Sequence, residues 1–205
     1  SSSTGPGTAG SSRGCWAESS MIHLHVRSWF SFQAGGSSPE ALAARAAELG
    51  MPALALTDRH GVYGAVRFQK ACEEVGLRPI FGAEVTVGAH PLVFLAKSRD
   101  GYATLNRMLG RAHTSEGQAL PAEELDAYTQ ELVCLTGGRE GRLARLVEEK
   151  RRAEARRWLD RLKGLFGEDL FVELTHHRRP GDRRLAGQLY ELAEAQNCPV
   201  VATGD

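Results

Sequence analysis

The chain has 205 residues, 25 basic and 25 acidic side chains, a pI of about 7.0 and 42% hydrophobic residues. This length and composition are those of one globular domain with its own core, and the neutral balance argues against binding of nucleic acid through bulk positive charge. No apolar run approaches the roughly 20 residues of a membrane-spanning helix, and the first residues lack the apolar centre of a secretory signal. We therefore expect a cytoplasmic protein that does not bind a membrane.

Residues 1–20 are rich in Ser, Gly and Thr, and they contain too little apolar surface to offset the entropy of ordering. We expect a disordered tail there and a single domain over 21–205, beginning at Met21. The four cysteines form no C-x-x-C pair, so we expect them to be reduced and mostly buried. They are Cys15, Cys72, Cys134 and Cys198.

From Met21 onward, short apolar segments alternate with segments of helical spacing. The first helix is well marked, because Ser38 can cap it, Pro39 and Glu40 suit its first turn, and Gly50 can end it. The pattern predicts seven strands, at 21–26, 52–58, 78–87, 90–97, 131–137, 169–174 and 199–205. It predicts helices at 37–50, 64–76, 101–113, 141–167 and 182–197, with one or two helices in the fourth segment.

Strands separated by helices imply an α/β fold with parallel pairing and with helices on the outside. Seven such units fit either a closed barrel or a long doubly wound sheet, and periodicity leaves both open. Polar residues near the carboxyl ends of the strands favour the barrel, because barrel active sites lie at that end. These residues are His25, Arg27, Asp58, Glu84, Glu173, His176 and Asp205.

Histidines and carboxylates gathered at strand ends are the ligands of hydrolytic metal centres. His25 points inward by strand alternation, either as a ligand or as a buried core histidine. Asp58 is a ligand or the N-cap of the following turn. Glu84 favours a site role, since a lone carboxylate in a buried apolar strand is costly. We regard His90, before Pro91 at a strand entry, and His176 and His177, before an exposed turn, as weaker candidates.

The basic segment 150–163 has apolar residues at helical spacing, which predicts a core-facing stripe beneath a charged outer face. The stripe consists of Ala155, Trp158, Leu159, Leu162, Leu165 and Phe166. Glutamates interleave with the arginines, so we interpret the outer face as solvated rather than as a nucleic-acid site.

Six segments together resemble successive blocks of the PHP domain (polymerase and histidinol phosphatase), in family order. They are 23–36, 48–68, 73–87, 92–109, 132–141 and 198–205. The resemblance is to the amino-terminal PHP domain of bacterial DNA polymerase III alpha subunits and their error-prone relatives. It implies a distorted seven-stranded (β/α)7 barrel with a polynuclear metal site in its mouth, and a chain that is a fragment of a longer polymerase.

Only half of the family's metal pattern is present. The resemblance places His25, Asp58, Glu84, His90 and Asp205 at ligand positions. Arg27 and Arg59 occupy two histidine positions, with His60 displaced by one residue. Ala34 stands where the family often has Asp, and Gly138 stands where it has Cys or His.

A guanidinium offers only donors and stays protonated, so it cannot replace imidazole as a ligand, but it can replace the cation. We therefore hypothesise that Arg27 and Arg59 neutralise Asp58, Glu84 and Asp205 through charge-assisted hydrogen bonds. No cofactor is then expected in this chain, and any metal site is vestigial.

The resemblance implies the PHP domain of a bacterial family C DNA polymerase, of the error-prone type, acting in replication or repair synthesis. Nucleotidyl transfer would use Mg in the absent polymerase part, and this fragment would be an inactive structural module. Its partners would be the rest of the chain and, through it, DNA. One alternative is an active phosphoesterase, a 3′–5′ exonuclease or pyrophosphatase, with Zn, Mn or Fe. Another is a free-standing binding module.

Overall fold

In the computed structural model, residues 21–204 form a mixed α/β fold around one six-stranded sheet that curls into a half-barrel. The strands are β1 Ala53–Leu56, β2 Arg78–Val87, β3 His90–Ala96, β4 Leu132–Leu135, β5 Leu170–Thr175 and β6 Val200–Thr203. The α-helices are α1 Pro39–Glu48, α2 Ala65–Val75, α3 Arg99–His113, α4 Arg142–Glu148, α5 Arg152–Phe166 and α6 Asp182–Ala195. The tail predicted at 1–20, which includes Cys15, lies outside these residues, as does Asp205.

The strands lie side by side in chain order, but not all of them are parallel. β1 and β2, β4 and β5, and β5 and β6 pair in parallel, whereas β3 is antiparallel to both β2 and β4. The expectation of parallel pairing throughout was therefore wrong at β3. Only two residues join β2 to β3, with Gly88 at φ 63°, and such a link forms a hairpin rather than a crossover.

The first predicted strand, 21–26, is not a regular strand, so the sheet has six strands instead of seven. His23 forms an isolated parallel bridge with Leu54, and its carbonyl accepts from Ala55 N. The next backbone hydrogen bond runs from Thr57 N to Val26 O. Between the two hydrogen bonds this segment advances three residues, from 23 to 26, while the β1 side advances two, from 55 to 57. The Thr57 hydroxyl accepts from Val26 N in place of a ladder bond. This mismatch breaks the ladder but keeps the segment beside β1.

The core has one layer inside the half-barrel and others between the sheet and the helices. Ala55, Val93, Leu95 and Leu135 form the inner layer. The stripe predicted on α5 is confirmed, since Ala155, Trp158, Leu159, Leu162 and Phe166 are buried and Leu165 is partly buried. The predicted helical segment 141–167 contains two helices, with Lys150 at φ 61° between them.

Cys72, Cys134 and Cys198 are free and buried, as predicted. Across the part of the chain that the structure describes, no helix is long and apolar enough to cross a membrane.

We expect Ser38→Ala to lower the free energy of unfolding by about 1 kcal/mol, because the Ser38 side chain accepts a hydrogen bond from Ala41 N at the start of α1. Urea unfolding followed by circular dichroism measures the change. Ser37→Ala is the matched control, since Ser37 lies just before the cap. Equal effects of the two substitutions would contradict the capping role.

Candidate charge cluster in the barrel mouth

The half-barrel brings one histidine and two carboxylates from distant parts of the chain into contact. His25 comes from the segment beside β1, Glu84 from β2 and Glu173 from β5. Their exposed fractions are 1%, 4% and 0%. All three point into the interior, and burial of two carboxylates requires positive partners.

His25 lies between the two carboxylates. Its Nδ1 is 2.7 Å from Glu173 Oε1, and its Nε2 is 3.1 Å from Glu84 Oε2. A neutral imidazole has one N–H and one lone pair, so it can donate to only one of two ionised carboxylates. An imidazolium donates to both, which makes His25 a positive group at the centre of the cluster.

Glu84 is held on both oxygens by arginines. Arg27 donates to Oε2 from Nε at 3.1 Å and from Nη2 at 2.5 Å, while Arg59 Nε donates to Oε1 at 2.7 Å. Arg59 also reaches Glu140 through Nη2 at 2.7 Å. Burial by itself would raise the pKa of Glu84, but the hydrogen bond from His25 and the charge of Arg27 outweigh it and hold the pKa at about 2.

Asp58 is held by hydroxyls and a backbone amide rather than by an arginine among the described residues. Ser28 donates from N to Oδ1 and from Oγ to Oδ2, both at 2.7 Å, and Ser31 Oγ donates to Oδ1 at 2.6 Å. The loop that carries both serines closes at Gly35, where a Cβ would lie 2.0 Å from the Ser28 carbonyl oxygen. The expected pairing of Asp58 with Arg27 or Arg59 was therefore wrong, because donors from this loop already bind both Asp58 oxygens.

Glu173 has one satisfied oxygen and one without a partner in the described structure. Oε1 accepts from His25 and from Thr203 Oγ1 at 2.5 Å, whereas the buried Oε2 has no hydrogen bond there. A Cβ placed at Gly138 would lie 3.7 Å from Oε2. A side chain at position 138 would therefore lie next to Glu173 Oε2, and glycine leaves that place empty.

His90 is not brought to the cluster. It pairs with Val87 across the β2–β3 hairpin, whereas Glu84 pairs with Val93, so His90 and Glu84 lie on opposite faces of the sheet. His60 Nε2 contacts Thr86 Oγ1 at 3.1 Å, outside the cluster. His176 is exposed, and His177 donates through its backbone N to Asp182. Asp205 lies beyond the described residues.

The described residues of the cluster do not form a metal site. Over residues 21–204 there is no group of three or more His, Cys, Asp or Glu side chains that could hold one. Both Glu84 oxygens already accept from guanidinium groups, and both His25 nitrogens face carboxylates. A divalent cation would meet the positive charges of Arg27 and Arg59 at short range.

The cluster includes residues that were not among the predicted site residues. Glu173 carried the same signal as Glu84, a lone carboxylate in an apolar strand, and was noted only as a polar residue at a strand end. Ser28, Ser31 and Glu140 lie in loops and had no such signal. Their roles depend on contacts between residues far apart in the chain.

The fold is an α/β half-barrel with a charge cluster in its mouth. The family model described as PHP domain matches residues 23–177, and the chain belongs to this family. It is 39% identical to the error-prone DNA polymerase of Symbiobacterium thermophilum, over 91% of this chain and 19% of that protein. It is 33% identical to DNA polymerase III subunit alpha of Bacillus subtilis, over 91% of this chain and 17% of that protein. The chain thus spans less than a fifth of either polymerase.

A crystal structure described as a metal-dependent phosphoesterase from Bifidobacterium adolescentis has the same fold, with a TM-score of 0.64 and 14% identity. The match covers 90% of this chain and 87% of that one. The match shows that the two proteins share an architecture. In the described part of this chain, the sheet of that architecture has six strands.

The pKa of Glu84, about 2 in the folded state against an ordinary 4.5, predicts how stability depends on pH. Ionised Glu84 stabilises the fold fully above about pH 4.5, and the contribution, about 3 kcal/mol, is lost as the pH falls toward 2. We therefore expect the wild type to lose more stability than Glu84→Gln between about pH 5 and about pH 3.

Urea unfolding across this range measures the two slopes. Glu48→Gln is the control, because the ion pair of Glu48 with Arg45 is largely exposed. Equal acid sensitivity of the wild type and Glu84→Gln would contradict the role of Glu84.

Proposed function

We propose that this chain is the PHP domain of a bacterial family C DNA polymerase, of the error-prone type, and that its barrel mouth has a structural role. The observation that carries the structural role is the double arginine contact with Glu84. The cations that compensate the buried carboxylate are side chains, so the mouth needs no metal to be stable.

The polymerase assignment is supported by relatives that are named DNA polymerases. Their sequence similarity extends over nearly the whole of this chain. Identity is 39% to an error-prone polymerase and 33% to a DNA polymerase III alpha subunit, which favours the error-prone branch. Under this proposal, nucleotidyl transfer occurs elsewhere in a longer cytoplasmic protein and uses Mg there. The domain's partners are then the rest of that chain and, through it, DNA.

The domain's own contribution would be to stabilise the polymerase rather than to hydrolyse phosphoesters. A hydrolytic metal centre needs open coordination positions and unprotonated ligands. The contacts of Arg27 and Arg59 with Glu84 instead satisfy the oxygens that such a centre would use. For this reason the exonuclease or pyrophosphatase alternative is not favoured.

We expect Arg27→Ala to lower the free energy of unfolding by about 3–5 kcal/mol, because it removes a positive charge and two hydrogen bonds from a buried carboxylate. Arg59→Ala should cost less, since the Arg59 side chain is 34% exposed. Both are measured by urea unfolding at neutral pH. Arg45→Ala, which removes an exposed pair with Glu48, is the control and should change stability by less than about 1 kcal/mol. If Arg27→Ala melts like the control, the proposed role of Arg27 fails.

The proposal also predicts metal content. Protein purified without chelator and without a metal-binding tag should carry less than about one-tenth of an equivalent of Zn, Mn or Fe by inductively coupled plasma mass spectrometry. The double variant Arg27→His, Arg59→His removes both guanidinium charges and should retain more zinc after the same gel filtration. Stoichiometric metal in the wild type would overturn the structural role and support the phosphoesterase alternative.

A further inference from the structure

Exposed basic residues outnumber acidic ones along α4 and α5. Residues 142–166 contain nine Lys or Arg and four Asp or Glu, an excess of five positive charges in a chain whose formal net charge is zero. The segment that forms α4 and α5 is therefore basic, although the whole chain is neutral.

Most of the acidic residues in this segment are already paired. Glu148 pairs with Arg139, while Glu149 and Glu154 pair with Arg151. Within the described residues, four exposed arginines here have no carboxylate oxygen within 4.0 Å of their guanidinium nitrogens. These four, Arg145, Arg152, Arg156 and Arg157, are called the arginine face below.

Other basic residues nearby are engaged with the protein itself. The guanidinium carbons of Arg142 and Arg161 lie 4.6 Å and 5.8 Å from the centre of the Trp158 ring, and Arg161 also donates to the Ala122 carbonyl. Lys163 Nζ donates to the Gln196 carbonyl at 2.6 Å. The arginine face is thus distinct from the cations that have a structural partner.

Two arginines of the arginine face lower the intrinsic stability of α5. Arg152 lies in the first turn of α5, where the helix dipole disfavours positive charge. Arg156 follows four residues later on the same side, and like charges at this spacing repel each other. Departures from local preference of this kind are typical of functional surfaces, where an external partner compensates for them.

In contrast to the solvated outer face expected from the sequence, we infer that the arginine face binds the phosphate backbone of double-stranded DNA, independently of base sequence. The choice of DNA over another polyanion rests on the proposed function. Arg152 and Arg156 border a groove of about 460 Å³ between α5 and α6, which Glu191 also lines and whose small side chains are Ala153, Ala155 and Ala195. These small side chains leave both guanidinium groups accessible to a polymer that lies along the surface. Guanidinium groups that lack a carboxylate partner are suited to phosphate.

The test uses the 205-residue chain and a fluorescently labelled duplex of about 20 base pairs, with anisotropy measured from about 50 to about 200 mM salt. We expect log K to fall linearly with log salt, with a slope of about −3 to −4. The triple variant Arg152→Gln, Arg156→Gln, Arg157→Gln should bind at least tenfold more weakly at the lowest salt. Its slope should be smaller by about one unit for each arginine replaced.

The matched control is Lys70→Gln, Arg99→Gln, Arg178→Gln, which removes the same charge from exposed residues outside α4 and α5. It should keep most of the parental slope, and circular dichroism confirms that both triple variants fold. Parental affinity in the arginine-face variant, or equal losses in the two variants, would overturn the inference. Tighter binding to polyglutamate than to DNA would overturn the choice of DNA. None of these results would alter the metal content or the effect of Arg27→Ala, which test the proposed function separately.

Discussion

The buried carboxylate of Glu84 is the constraint on which the barrel mouth depends. A carboxylate with an exposed fraction of 4% is stable in the charged form only if hydrogen-bond donors or positive groups surround it. His25, Arg27 and Arg59 supply those donors from two separate stretches of chain. Their contacts tie the segment before α1 and the residues after β1 to the centre of β2, so the charge cluster also holds the curled sheet together.

Positive side chains compensate most of the negative charge in the described part of the cluster. Arg27, Arg59 and an imidazolium His25 face the carboxylates of Glu84, Glu173 and Glu140, whereas Asp58 is held by neutral donors. In other proteins a metal ion can compensate such a set of carboxylates, with imidazole as neutral ligand. Here the compensation comes from guanidinium groups, whose fixed charge and planar donors do not depend on metal supply.

The two arginine-containing regions differ in what their positive charge meets. In the mouth, Arg27 and Arg59 both contact the buried carboxylate of Glu84, so their charge is used inside the fold. On the arginine face, the nearby Glu148 and Glu154 are already paired with Arg139 and Arg151. The same residue type therefore stabilises the protein in one place and is available to a partner in the other. Total composition, with zero net charge, conceals this difference.

The sequence by itself determined the elements whose signals are local. The cap at Ser38, the stripe on α5 and the alternation of strands and helices follow from spacing over a few residues, and all are present in the structure. Glu84 was also identifiable, because a lone carboxylate in an apolar strand is conspicuous without any knowledge of its neighbours. The family resemblance likewise depended on contiguous motifs.

Only the tertiary structure decided which strands and which side chains contact each other. The broken ladder between 23–26 and β1 depends on hydrogen bonds between distant residues, whereas the antiparallel β3 and the position of His90 follow from the short β2–β3 hairpin. Asp58 was expected to meet an arginine and instead meets Ser28 and Ser31, because a loop closed at Gly35 brings those donors closer. Sequence spacing identifies which charged side chains will be buried. The three-dimensional path of the chain determines which hydrogen-bond donors lie close to them.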